Sequence, residues 1–194
     1  METATKQVWK AANNTAWMIT MRITVWILFI GLCIQAGTLL YSFFVSLVIN
    51  PEGAKNLDLG LNLSALYAGS IGYYSMMVLL LICLSGLKAY IFYLVIQIFK
   101  KINFVHPFSP EIARLIKVIG YVALGTGVLN LAANSYSEWL IENGFAKYTL
   151  EQFTSLYKFL GGGAEFILLG GIIFIISQVF NRGIEIQAEN ELTV

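Results

Sequence analysis

Long apolar runs separated by short polar segments are the first pattern in this chain. A helix rises about 1.5 Å per residue, so about 20 apolar residues are needed to cross hydrocarbon about 30 Å thick. Four stretches qualify: approximately residues 23–48, 71–99, 112–140 and 159–180. The third is the least uniform, because Arg114 and Lys117 fall in its first turns and its apolar centre covers 118–133. A long helix with a wet beginning accounts for this better than a re-entrant loop. The pattern predicts an all-α, polytopic membrane protein in which residues 1–194 form one four-helix transmembrane bundle and residues 181–194 a short acidic tail.

The polar segments carry helix signals of their own. In Ser109-Pro110-Glu111, Ser is an N-cap, Pro suits the first helical position and the acid faces the positive end of the helix dipole. Thr149-Leu150-Glu151-Gln152 is a capping-box pattern that opens a short external helix before the fourth span, with Phe153, Leu156, Tyr157 and Leu160 at helical spacing. Asn13-Asn14-Thr15 and Asn62-Leu63-Ser64 match the glycosylation tripeptide, a pattern common by chance. The first apolar run is far longer than the about 7 to 15 residues of a signal-peptide core and no small-residue cleavage site follows it, so it is expected to stay in the mature protein.

Composition supports the bilayer reading. Apolar residues make up 58% and charged residues 12%, too few charges to coat a water-facing surface. Lys6, Lys10, Arg22, Lys100, Lys101, Arg114, Lys117 and Arg182 fall on one side of the four spans, against Lys55, Lys147 and Lys158 on the other. The positive-inside rule then places both termini in the cytoplasm. A net charge of +1 gives no footprint for nucleic acid. Cys33 and Cys83 lie inside apolar runs and read as buried packing residues, not as a disulfide or a metal site. The lone His106 has no companion ligands, and neither a phosphate-cradling glycine loop nor a serine elbow is present. No cofactor, no metal and no enzymatic activity are therefore expected.

Intramembrane polar groups are the candidates for chemistry, because burying them without partners is costly. Measured from each helix's basic flank, Gln35 lies about 20 Å from Arg22, Lys88 about 18 Å from Lys100, Asn130 about 20 Å from Lys117 and Glu165 about 25 Å from Arg182. Each helix thus supplies one polar side chain to one approximate layer, anchored on Lys88 and Glu165. Such a layer would make a polar pocket or a proton-responsive site. The alternative is that these groups only fix helix packing, with Lys88 snorkelling and Glu165 at the headgroups.

Gly120, Gly125 and Gly127 in the third span, and Gly161 to Gly163, Gly170 and Gly171 in the fourth, point to close packing of those two helices. The spacings Ala123 to Gly127 and Ser85 to Ala89 also suit close approach. At the basic end, Lys100, Lys101, Arg114 and Lys117, with Glu185, Glu189 and Glu191 of the tail, form a candidate surface for a soluble partner.

His106-Pro107-Phe108-Ser109, Gln178-Val179-Phe180-Asn181-Arg182-Gly183 and the terminal Glu189-Asn190-Glu191-Leu192-Thr193-Val194 make the chain resemble the bacterial YoaS-like membrane proteins, a domain-of-unknown-function family with four predicted spans, over residues 23–194. No catalytic residues come with that resemblance. It implies a bacterial cytoplasmic (inner) membrane and a gene often placed beside one for a small helix-turn-helix regulator. Two functions follow as expectations. One is a membrane sensor or regulatory partner of such a regulator; the other is a small-solute or ion transporter or channel built on the Lys88/Glu165 layer. The second would call for a homo-oligomer, because four helices leave little room for a pathway.

Overall fold

The computed structural model of the chain describes residues 2–55, 57, 61–102, 108–145 and 162–191. The helix expected at residues 149–160 and the loop histidine His106 lie outside them. The first helix, α1 (Glu2–Phe44), begins well before the apolar stretch and enters it without a break. It widens into one π turn, Val45–Ile49, and stops at Asn50, which is extended. A 3₁₀ turn (Pro51–Lys55) and a short helix, α2 (Ser64–Gly69), precede the long helices α3 (Ile71–Lys101), α4 (Pro110–Glu142) and α5 (Gly163–Glu191). Four of these helices are long and apolar enough to cross a membrane, and no strand occurs among the described residues.

Local chemistry sets the helix ends. Ser109 is extended and its Oγ accepts a hydrogen bond from the Ile112 amide at 3.3 Å, with Pro110 opening the helix behind it, as the sequence predicts. At the other end of α4, Gly144 has φ +71°, a conformation that favours glycine. This lets the Gly144 amide donate to Ile141 and the Phe145 amide to Leu140, both at 3.0 Å, which is a Schellman stop.

The segment between the first two spans is folded, which the hydropathy pattern does not show. The Asn50 side chain accepts from the Glu52 amide at 2.9 Å, and the Asn62 side chain accepts from the Ser64 amide at 3.0 Å. Asn62 is thus used as a turn residue inside its own tripeptide. Backbone bonds from Leu57 to Leu61 and from Leu63 to Ala54 close the segment on itself. Its buried Ala54, Leu57, Leu61, Leu63 and Leu66 join Leu39 of α1, Tyr74, Met77, Val78, Leu81 and Leu84 of α3, and Ala133 and Leu140 of α4 in one core. A ring cluster of Tyr73, Tyr136, Trp139 and Phe145 continues that end of the molecule.

A second core lies toward the other end, where Ile91 and Leu94 of α3 meet Ile119 and Ala123 of α4 under the partly buried Phe166 and Ile173 of α5. Packing is sequential: α1 lies on α3, α3 on α4 and α4 on α5, with α1 and α5 sharing no substantial interface among the described residues. The bundle is accordingly open, and large apolar side chains such as Ile27, Ile34, Leu168, Ile175 and Val179 are exposed along it. In lipid such surface has no need of a protein cover. The cysteines correct the sequence reading for the same reason. Cys33 and Cys83 are free and exposed, on helix faces that hydrocarbon solvates as well as protein would.

Candidate functional site

Glycine sets how α5 sits on α4. A Cβ on Gly127 would lie 2.6 Å from Ile167 Cγ1 and 2.9 Å from the Gly163 carbonyl oxygen, and a Cβ on Gly170 would lie 2.9 Å from the Leu124 amide. Near the other end, the ring of Phe108 occupies the space that a side chain on Gly183 would need, at 2.7 Å. These contacts fix an antiparallel register in which α5 begins opposite Gly127. From there α4 runs on to Glu142, about 22 Å further. The described part of α5 therefore starts partway along the membrane-crossing length of α4. Glycines in the third and fourth spans pack these helices closely, as predicted, through Gly120, Gly127, Gly163 and Gly170; Gly125 and Gly171 have open space beside them.

Register contacts also order the four polar residues by depth. Tyr136 Oη donates to the Tyr73 carbonyl at 3.4 Å and Lys101 Nζ to Glu111 at 2.9 Å, so Lys88 is level with the turn of α4 around Ala123. Arg22 donates to the Phe99 carbonyl at 3.0 Å and Phe43 packs on Tyr74, which puts Gln35 about one turn from Lys88 in depth. Glu165 shares that depth through the α4–α5 register, while Asn130 lies about 10 Å further from the basic end than Lys88.

Their immediate surroundings differ. Lys88 is half-buried with its ammonium 5.6 Å from the centre of the Phe166 ring, a cation–π contact one residue along from Glu165. Glu165, exposed, stands in the first turn of α5 and folds back over Gly162: a Cβ there would lie 2.9 Å from its carboxyl carbon. A carboxylate in a first helical turn is favoured by the helix dipole. Ion pairs join Lys55 to Glu52, Lys101 to Glu111 and Arg182 to Glu185. Asn130 is fully buried and its Oδ1 accepts from Asn134 Nδ2 at 3.1 Å. Gln35 is half-buried on α1, next to α3 and away from α5.

Sequence reasoning missed the rest of the polar face of α4. Thr126, Asn130, Asn134 and Ser137 recur at helical spacing, with Thr126, Asn130 and Ser137 buried and Asn134 partly so. Thr126 donates to the Val122 carbonyl at 2.7 Å. The oxygens Asn134 Oδ1 and Ser137 Oγ are buried with no hydrogen-bond partner among the described residues. The i, i+4, i+8, i+11 recurrence of small polar residues was the signal that would have found this face. A buried pair at 2.7 Å, Ser46 Oγ with Tyr74 Oη, also went unseen, because it joins α3 to a π turn no periodicity reveals.

At the basic end a groove of about 600 Å³ opens between α4 and α5, lined by Ala113, Arg114, Lys117, Gln178, Asn181 and Glu185 among others. Arg114 and Lys117 are exposed there, and Lys117 Nζ lies 5.9 Å from the Tyr121 ring centre. Lys100 Nζ stands 5.7 Å from the ring of Trp26 on the α1 side, and Lys101 is held by Glu111. Glu185 and Glu189 follow on α5, exposed, in the part of the helix that continues to Glu191. No group of three or more His, Cys, Asp or Glu side chains near enough to hold a metal occurs among the described residues.

No curated protein and no solved structure matches this chain. One family does, over residues 51–194, which takes in α2 to α5 and nearly three-quarters of the sequence. The chain belongs to the family described as Protein of unknown function (DUF2975).

Proposed function

We propose that this protein is a non-enzymatic regulatory membrane protein of the YoaS-like kind. It sits in a bacterial cytoplasmic membrane with both termini inside and passes the state of the bilayer, or of a membrane-borne ligand, to a small helix-turn-helix regulator. The supporting observation is the continuity of α5. It runs unbroken from Gly163, opposite Gly127, to Glu191 beyond the last apolar turn. Along that path it is keyed to α4 by backbone-close contacts at Gly127 and Gly170, and Gly183 takes the ring of Phe108 just ahead of α4. Interlocked helices shift between discrete packings and do not deform smoothly. A ligand that favours one α4–α5 packing would therefore reposition the acidic end bearing Glu185, Glu189 and Glu191, and only its differential affinity for the two packings would do so. Acidic residues there complement a basic soluble partner.

The test is capture of the purified regulator by membranes containing the full chain, alongside membranes containing Glu185→Lys/Glu189→Lys. Retention by the wild type and its loss in the variant is the expected result. No retention under any salt condition overturns the reading.

A second reading, transport through a polar layer, draws on the buried Thr126, Asn130 and Ser137 face that extends from the depth of Lys88. It predicts liposome flux that Lys88→Met and Glu165→Gln each abolish; flux unchanged by both substitutions removes it.

A further inference from the structure

The groove between α4 and α5 has the chemistry of an anion site and the location of a lipid site. Two cations, Arg114 and Lys117, line it together with the side-chain amides of Gln178 and Asn181, which can donate to phosphate oxygens. Its one carboxylate, Glu185, is bound by Arg182 at 2.6 Å, so the cationic excess stands. Pro110, the first residue of α4, also lines the groove and brings the positive end of the helix dipole to its wall. The volume, about 600 Å³, falls within the range of small-molecule sites, about 300 to 1,000 Å³.

Apolar surface continues directly from this groove toward the membrane interior. Lys117 stands over Tyr121, which is exposed and lies 6.1 Å from Phe174, and Ile175 and Val179 are exposed on the same helix as Gln178. A free phosphate has no use for that surface, whereas an acyl chain does. We propose that this groove binds the headgroup of an anionic phospholipid from the leaflet at the basic end of the bundle, with Arg114 and Lys117 as cationic arms and Gln178 and Asn181 as donors. Basic pockets between membrane helices are suited to such headgroups. The inference does not rest on the regulatory reading, since failure of wild-type membranes to capture the regulator would leave Arg114, Lys117 and the lipid they hold unchanged.

The experiment uses the full chain reconstituted in nanodiscs of phosphatidylcholine with phosphatidylglycerol, followed by native mass spectrometry of the lipid that stays on the extracted protein. Wild-type protein is expected to retain phosphatidylglycerol in preference to phosphatidylcholine. Arg114→Gln/Lys117→Gln should lose that preference about tenfold to thirtyfold. Arg114→Lys/Lys117→Arg, which keeps the charge and guards against a folding defect, should keep most of it. Lys100→Gln/Lys101→Gln, outside the groove, should keep it too, and millimolar inorganic phosphate should not displace the lipid. Equal retention of both lipids, an equal loss in the Lys100/Lys101 variant, or displacement by phosphate each overturns the proposal. The first would mean no site, the second only diffuse surface charge, and the third a site for the free anion.

Discussion

Gly127 and Gly125 are two residues apart on α4 and have opposite surroundings. A methyl group on Gly127 would press on the backbone of Gly163 and Ile167, which cannot turn aside, while Gly125 has nothing within 4 Å. Gly127→Ala should therefore destabilise the protein by about 1–3 kcal/mol. Gly125→Ala should be neutral or gain up to about 1 kcal/mol from reduced backbone freedom. Thermal unfolding in detergent, read by circular dichroism, compares the two. Tyr74→Phe tests the buried Ser46–Tyr74 pair and should cost about 0.5–1.5 kcal/mol; a double-mutant cycle with Ser46→Ala separates the bond from the cost of an orphaned hydroxyl. The sequence marked these glycines as small and abundant, but only the facing helix shows which of them have lost all room. The cysteines teach the same lesson, since an apolar run does not say which of its sides meets lipid.

The start of α4 was legible in the sequence, because capping is a matter of three or four consecutive residues. Ser109→Ala should lower stability by about 1 kcal/mol and Ser109→Asp should preserve it, as measured by the same unfolding assay. Lys101→Ala, by contrast, should change stability by less than about 1 kcal/mol, because both partners of the Lys101–Glu111 pair are exposed to water and salt. The folded segment between α1 and α3 was not legible. Leu57, Leu59, Leu61 and Leu63 alternate in the sequence as a strand would, whereas the described part of the segment forms turns and a short helix whose leucines are buried against Leu39 of α1 and residues of α3 and α4. Leu57→Ala, at a fully packed position, should cost about 2–5 kcal/mol and speed proteolysis in that segment. The polar face of α4 was half legible: Asn130 stood out in an apolar run, while Thr126, Asn134 and Ser137 needed the helix to be drawn as a face.

Across the whole molecule, four helices of membrane-spanning length and apolarity predict that reporters fused at the two ends of the chain report the same compartment, because an even number of crossings returns the chain to its starting side. Opposite compartments would show that one of the four does not cross. Alkaline carbonate should leave the protein in the membrane pellet and detergent should release it. The sequence by itself determined the solvent, the helical class, the number of long apolar segments and the asymmetry of basic charge, since hydropathy and charge are sums over neighbouring residues. Tertiary structure alone decided the order of contacts, α1 to α3 to α4 to α5, and the register that starts the described part of α5 opposite Gly127. It also decided which polar groups come near one another and where a basic groove opens. Inside a bilayer the lipid is as apolar as the helix flanks, so hydrophobicity does not choose partners; close approach, side-chain shape and a few hydrogen bonds do, and these exist only once two helices face each other.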